Sequence, residues 1–119
     1  MHELSIAQSI VDIVADHVPR PRLDRVRSIR VRVGAMSGVV PDSLEFCFTA
    51  ITAESELAGA RIDIVPVPFL LRCDPCARDF TSDSGSPRCS VCGLPGQVLS
   101  GTELQVMEIE LLETGTDEP

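Results

Sequence analysis

Residues Cys73 to Cys92 read CDPCARDFTSDSGSPRCSVC, in which Cys73 and Cys76 form one C-x-x-C and Cys89 and Cys92 form another, 12 residues later. Two such pairs can set four thiolates at the corners of a tetrahedron, each pair curling so that backbone amides face the sulfurs. That is the spacing of a zinc site. All four ligand positions are then filled by protein, which leaves no open position where the metal could activate water, so the zinc is structural rather than catalytic. Two alternatives share the spacing. Paired disulfides require an oxidising compartment, and a rubredoxin-like iron uses the same four thiolates. Soft tetrahedral sulfur, with nothing that suggests a redox partner, favours zinc.

The surrounding segment, 69–99, balances Arg72, Arg78 and Arg88 against Asp74, Asp79 and Asp83 and is neutral before metal is counted. Pro75, Pro87, Pro95, Gly85, Gly93, Gly96 and a Ser/Thr cluster at 81–86 leave it too few apolar residues for a core of its own. Metal binding must hold it together. Outside it, the pattern is that of an α/β unit. Leu4, Ala7, Ile10, Val11, Val14 and Val18 follow helical spacing, with Ser5 and Gln8 as a candidate capping box and Pro19 and Pro21 as the stop. Arg27 to Val33 alternates, Ile29, Val31 and Val33 on one face and Arg30 and Arg32 on the other, as a half-buried strand does. Leu44, Cys47, Phe48 and Ile51 then mark a second helix over 41–53, with Pro41 suited to its first turn. Cys47 on that stripe reads as a buried core cysteine. Residues 60–67 and 103–112 give two more strands. Placing Met107, Ile109 and Leu111 inward sets Glu108 and Glu110 on the same outer face as Arg30 and Arg32, and cross-strand charge pairing favours that register. His17 ends the first helix, where a positive charge suits the carbonyl ends. Residues 114–119 read as a frayed tail.

The order helix, strand, helix, strand, zinc loop, strand describes an α+β fold: two helices packed on a small mixed sheet, with an inserted zinc-ribbon domain. The expected division is a discontinuous α/β domain, 1–68 and 100–119, and a ribbon, 69–99.

Across all 119 residues, 18 Asp and Glu face 10 Arg and no Lys, for a net charge of −8. Nucleic acid is therefore a poor partner, because that affinity comes largely from cations displacing counterions. With no Trp or Tyr and only 4 Phe, base stacking is equally ill served. The longest apolar run, 65–71, holds two prolines and falls far short of a membrane span. Glu3 and Asp12, with no basic flank, do not make a secretory signal, so the expected location is the cytoplasm. No phosphate loop, nucleophile elbow or Ser/His/Asp set is present, and no enzyme is expected.

Met1-His2-Glu3 has its own chemistry. The terminal amine of Met1, the deprotonated amide nitrogen of His2 and its imidazole Nδ1 can close a five-membered and a six-membered ring around one metal, and Glu3 can complete the square. Nitrogen-rich square-planar coordination suits Ni(II) or Cu(II), unlike the tetrahedral thiolate site. On residues alone, three readings stay open: a metal-delivery protein, a zinc-ribbon adaptor that only binds other proteins, and a rubredoxin-like electron carrier.

MHELSIAQSIV at the start, VRVGAMSGVVPDSLEFCF over 31–48, the two C-x-x-C pairs and SGTELQVMEIEL over 100–111 together resemble the hydrogenase maturation nickel metallochaperone family (HypA/HybF). The resemblance spans essentially the whole chain. It implies that His2, with Glu3 and the Met1 amine, binds Ni(II) for transport, while Cys73, Cys76, Cys89 and Cys92 hold structural Zn(II). It also implies work alongside a nickel-handling GTPase of hydrogenase maturation, delivery to the hydrogenase large-subunit precursor and, in some members, service to urease maturation proteins. Two positions depart from the family pattern. Ala35 replaces the acidic residue usual after the glycine, and Ala77 stands where a glycine often follows the first cysteine pair.

Overall fold

A computed structural model describes residues 2–112. The described residues divide into two compact units, 2–31, 39–64 and 106–112 in one, and 32–38 and 65–105 in the other. The Met1 amine and the expected tail at 114–119 lie outside the described residues.

In the first unit, α1 (His2–His17) is followed by a 3-10 turn, Arg20–Arg25, and then by strand β1 (Val26–Gly34). The helix buries Ala7, Ile10 and Val14, the i, i+3, i+7 stripe that its sequence spacing dictates. Because it begins at His2, Ser5 sits inside it rather than capping it; Ser9 Oγ instead donates to the Ser5 carbonyl oxygen at 3.1 Å. Leu4, expected on the buried stripe, is 42% exposed. His17 Nδ1 donates to the Ile13 carbonyl oxygen at 2.8 Å, one turn back along the helix. Pro19 stops the helix, and the arginine-rich segment after it winds into the 3-10 turn, an element that periodicity did not indicate.

Helix α2 (Pro41–Thr52) packs on α1 and buries Leu44, Cys47 and Phe48. Phe48 and Leu44 are almost wholly enclosed, and burial of each contributes roughly 1.5–3 kcal/mol. Cys47 is a free core thiol, as its place on the stripe predicts. The strands β1, β2 (Arg61–Val67) and a late strand, β6 (Leu104–Leu111), form one sheet in the order β2-β1-β6. Leu112 pairs with Arg25, Glu110 with Ser28, Glu108 with Arg30 and Glu103 with Gly34, so β6 descends as β1 climbs and the pair is antiparallel. Val26 and Gly59 line one hollow at the starts of β1 and β2, and Ala35 donates to Val67 at their ends, so these two run parallel with α2 as the crossover. The sheet is mixed.

Glu108 meets Arg30 at 3.5 Å, the contact that charge matching selects, whereas Glu110 lies beside Ser28 instead and accepts its hydroxyl at 3.0 Å. Met107 is the exception. Expected inward, it is 47% exposed on β6, an edge strand of the sheet, where it lines a shallow hollow with Ile13 and His17 of α1.

In the second unit, three short strands that the sequence pattern did not reveal form an antiparallel sheet, β4-β3-β5, from β3 (Leu70–Cys73), β4 (Arg78–Thr81) and β5 (Gln97–Ser100). Four residues are too few for alternation to stand out. Leu71, fully buried, faces Phe80 across β3 and β4.

Candidate metal centre

Strand β3 carries Cys73 to its end, and the chain turns at Asp74–Ala77, closed by the Ala77 N–H donating to the Asp74 carbonyl oxygen at 3.0 Å. The turn brings Cys76 back beside Cys73 and leaves Ala77 at φ 53°, a left-handed conformation that side chains disfavour. A matching turn forms at the second pair. The Gly93 N–H donates to the Cys89 carbonyl oxygen at 2.8 Å, and Gly93, at φ 76°, takes the same left-handed position after Cys92. Arg88 Nη1 donates to the Gly93 carbonyl oxygen at 2.9 Å and secures that turn.

These two turns gather the four predicted cysteines. Their sulfurs all lie within 4.8 Å of one another, with Cys73 and Cys92 at 3.6 Å and Cys76 and Cys89 at 3.9 Å. A zinc ion with bonds of about 2.3 Å to sulfur at tetrahedral angles needs sulfur–sulfur edges of about 3.8 Å. The observed spacings fit, so the cluster can hold a structural zinc. All four thiols are free, and the two close pairs stand well beyond the roughly 2.05 Å of a disulfide.

The thiols are unequal. Cys89 is held down at about 6, first by the Cys92 and Val91 backbone N–H groups, then by the Arg78 guanidinium. Cys76 is pushed up to about 12, chiefly by hydrogen bonding with the Cys73 and Cys92 thiols and by burial. The Cys76 backbone N–H pulls Cys73 down, but burial and the thiols of Cys92 and Cys89 outweigh it and leave Cys73 raised. Four thiols this close cannot all ionise without a cation among them, and a divalent metal supplies that charge.

Of the other predicted site residues, His2 and Glu3 lie on the first turn of α1. His2 is exposed. Glu3 is half-buried, and its Oε2 accepts the backbone N–H of Val40, the residue that precedes α2, at 3.1 Å. That N–H, then the N–H of Glu3 itself and the nearby His2, hold the Glu3 carboxyl below the ordinary carboxylate value. The structure thus brings the four cysteines together and sets His2 and Glu3 side by side in sequence at a helix start. Two features were missed: the Glu3 to Val40 bond, for which a sequence carries no local signal, and the Arg78 contact to Cys89, at 3.5 Å.

A family model described as hydrogenase/urease nickel incorporation, metallochaperone, HypA, matches residues 1–111. The chain is 40% identical over 116 residues to a hydrogenase maturation factor HypA of Solidesulfovibrio magneticus, covering 93% of this chain and 99% of that one. It is 43% identical over 112 residues to the factor of the same name from Geotalea uraniireducens, with the same coverage. Among solved structures, its fold is similar to the solution structure of the Ni metallochaperone HypA from Helicobacter pylori, at 21% identity and a TM-score of 0.62 over 92% of this chain and 97% of that one. A second, described as the solution structure of HypA protein, gives 22% identity and a TM-score of 0.67 over 96% and 98%. Among the described residues, no helix is long and apolar enough to cross a membrane.

Proposed function

We propose that this chain, which belongs to the HypA family of hydrogenase and urease nickel-incorporation metallochaperones, captures Ni(II) at Met1, His2 and Glu3 and delivers it to the large-subunit precursor of a nickel–iron hydrogenase. The family is one of metallochaperones, not enzymes. The observation that supports the nickel site is the exposed first turn of α1. The first four N–H groups of a helix have no intrahelical acceptor, so the amide of His2 can lose its proton to a metal without breaking a helical bond. The resulting anion also suits the positive end of the helix dipole. Ni(II), one amidate and the Glu3 carboxylate sum to zero charge. Glu3 offers Oε1 to the metal while Oε2 stays on Val40.

In this reading Cys73, Cys76, Cys89 and Cys92 hold zinc within a ribbon domain, 69–99, inserted into a discontinuous nickel-binding α/β domain, 1–68 and 100–119. The protein works in the cytoplasm with the nickel-handling GTPase of hydrogenase maturation, and urease maturation proteins are a second client. The direct test is transfer: nickel-loaded protein is mixed with the precursor, the two are separated, and the nickel on each is measured. Nickel should appear on the precursor, faster with the GTPase present than with a chelator of equal affinity in place of this chain. Nickel that stays behind, or moves no faster than from the chelator, would contradict delivery.

A further inference from the structure

The zinc reading leaves one charged side chain beside the metal cluster without a role. Arg78 opens β4 two residues after Cys76, and its guanidinium lies 5.4 Å from the centroid of the Phe80 ring, within the range of a cation–π contact. From there Nη2 donates to Ser90 Oγ at 3.1 Å and to Cys89 Sγ at 3.5 Å. Among the described residues, Cys89 is the one cysteine of the four with a side-chain cation hydrogen-bonded to its sulfur. The Arg78 Nε is buried and has no hydrogen-bond partner.

That geometry is costly for a residue with no task. An arginine fork offers five donors in one plane, and leaving a buried donor unmatched is unfavourable. The neighbouring carboxylates do not claim the side chain: Asp74 and Asp79 are both bound to Arg72, at 3.5 and 3.2 Å. What Arg78 meets is sulfur. Four thiolates around a divalent ion carry two net negative charges, and a fixed cation against one of them offsets part of that excess. Its reach is also mechanical. Arg78 belongs to the strand that leaves the first cysteine pair, and Cys89 and Ser90 belong to the second pair, so the fork links the two halves of the metal cage.

We propose that Arg78 is a positioning residue for the zinc centre: its guanidinium clamps the Cys89 thiolate and Ser90 to β4 and slows release of the metal. The inference rests on the reading of the four cysteines as a zinc site. An N–H···S bond draws electron density from the thiolate, so its loss makes that sulfur a stronger donor to the metal and an easier target for protons and competing metals.

The test uses the full chain with native Arg78, Arg78→Lys, Arg78→Gln and Arg78→Ala. Co(II) in place of zinc reports the sulfur-to-metal charge-transfer band, and a chromophoric chelator reports the rate at which bound zinc leaves. Arg78→Ala and Arg78→Gln should move the band to lower energy and speed zinc release about tenfold, the lower end of what outer-shell partners contribute. Arg78→Lys, which keeps a charge without the fork, should fall between. Should Arg78→Ala fail to fold, Arg78→Lys and Arg78→Gln carry the same comparison. Faster release with an unmoved band would show mere loss of packing and overturn the proposal, as would release rates that do not change. A native chain that takes up no cobalt in a four-sulfur environment would overturn the zinc reading itself, and this inference with it.

Discussion

Glu3 Oε2 accepts the Val40 N–H at 3.1 Å, which ties the first turn of α1 to the start of α2. The side chain expected only to complete a nickel square is also the acceptor for an N–H that α2 leaves without a helical partner. Glu3→Gln should therefore do two things at once. Nickel binding should weaken without disappearing, because nitrogen ligands supply most of the plane. The Val40 amide should exchange with solvent faster, because a neutral acceptor is weaker than a carboxylate. Amide exchange resolved at Val40, alongside a nickel titration, reads both, and an unchanged Val40 rate would show that the contact holds nothing in place.

Ala77 and Gly93 occupy equivalent left-handed positions after the two cysteine pairs, and only one of them is a glycine. A side chain in that region costs roughly 1–2 kcal/mol, offset by up to about 1 kcal/mol of extra chain entropy that glycine loses on folding. Ala77→Gly should thus stabilise the second unit by up to about 1 kcal/mol, and Gly93→Ala should destabilise it by a similar amount. Denaturant midpoints of the zinc-loaded protein give the comparison. Opposite signs at the two sites are the expected outcome.

Glu103 accepts the Gly101 N–H at 2.7 Å, and this bond, aided by the nearby Arg32, holds its carboxyl below the ordinary 4.5. Folding therefore favours the ionised form. Its stabilisation is present above pH 4.5 and is lost as pH falls through the lower value of the folded state. Glu103→Gln should unfold more easily than the native chain near neutral pH, and the gap should close in acid. A gap of constant size across that range would mean the charge contributes nothing.

Zinc removal should act locally. Replacing Cys73 or Cys92 with Ser should lower the zinc content from about one per chain and loosen 69–99, since structural zinc supplies folding free energy. Helices α1 and α2 bury Leu44, Phe48, Ile10 and Val14 without any help from the metal. Their helical signal in circular dichroism should persist, and its collapse would show that the two units do not fold independently.

What was legible in the sequence was whatever repeats with a long enough period. The Leu44, Cys47, Phe48 stripe, the alternation of β1 and the two cysteine pairs each extend over enough residues to identify themselves. Even the β1–β6 register could be read, because Arg30 and Glu108 have opposite charges. Four-residue strands such as β3 and β4 could not, and Met107 was misplaced because alternation says nothing of where a sheet ends. Contacts between distant residues, Glu3 with Val40 and Arg78 with Cys89, follow from the fold alone. Ala77 was the one visible hint: it stands where Gly93 stands in the second pair.

Nickel capture by the N-terminus is the step on which the proposed function turns. The most direct measurement is a calorimetric titration of Ni(II) into zinc-loaded protein with a native N-terminus, run beside His2→Ala and beside a chain carrying one extra residue before Met1. The native chain should bind nickel one to one, and both changes should abolish that binding while zinc content and fold persist. Binding to the native chain should also weaken in acid, where protons compete with the metal for its nitrogen ligands. Nickel bound one to one in the His2→Ala protein would rule out capture at the N-terminus and move the site elsewhere.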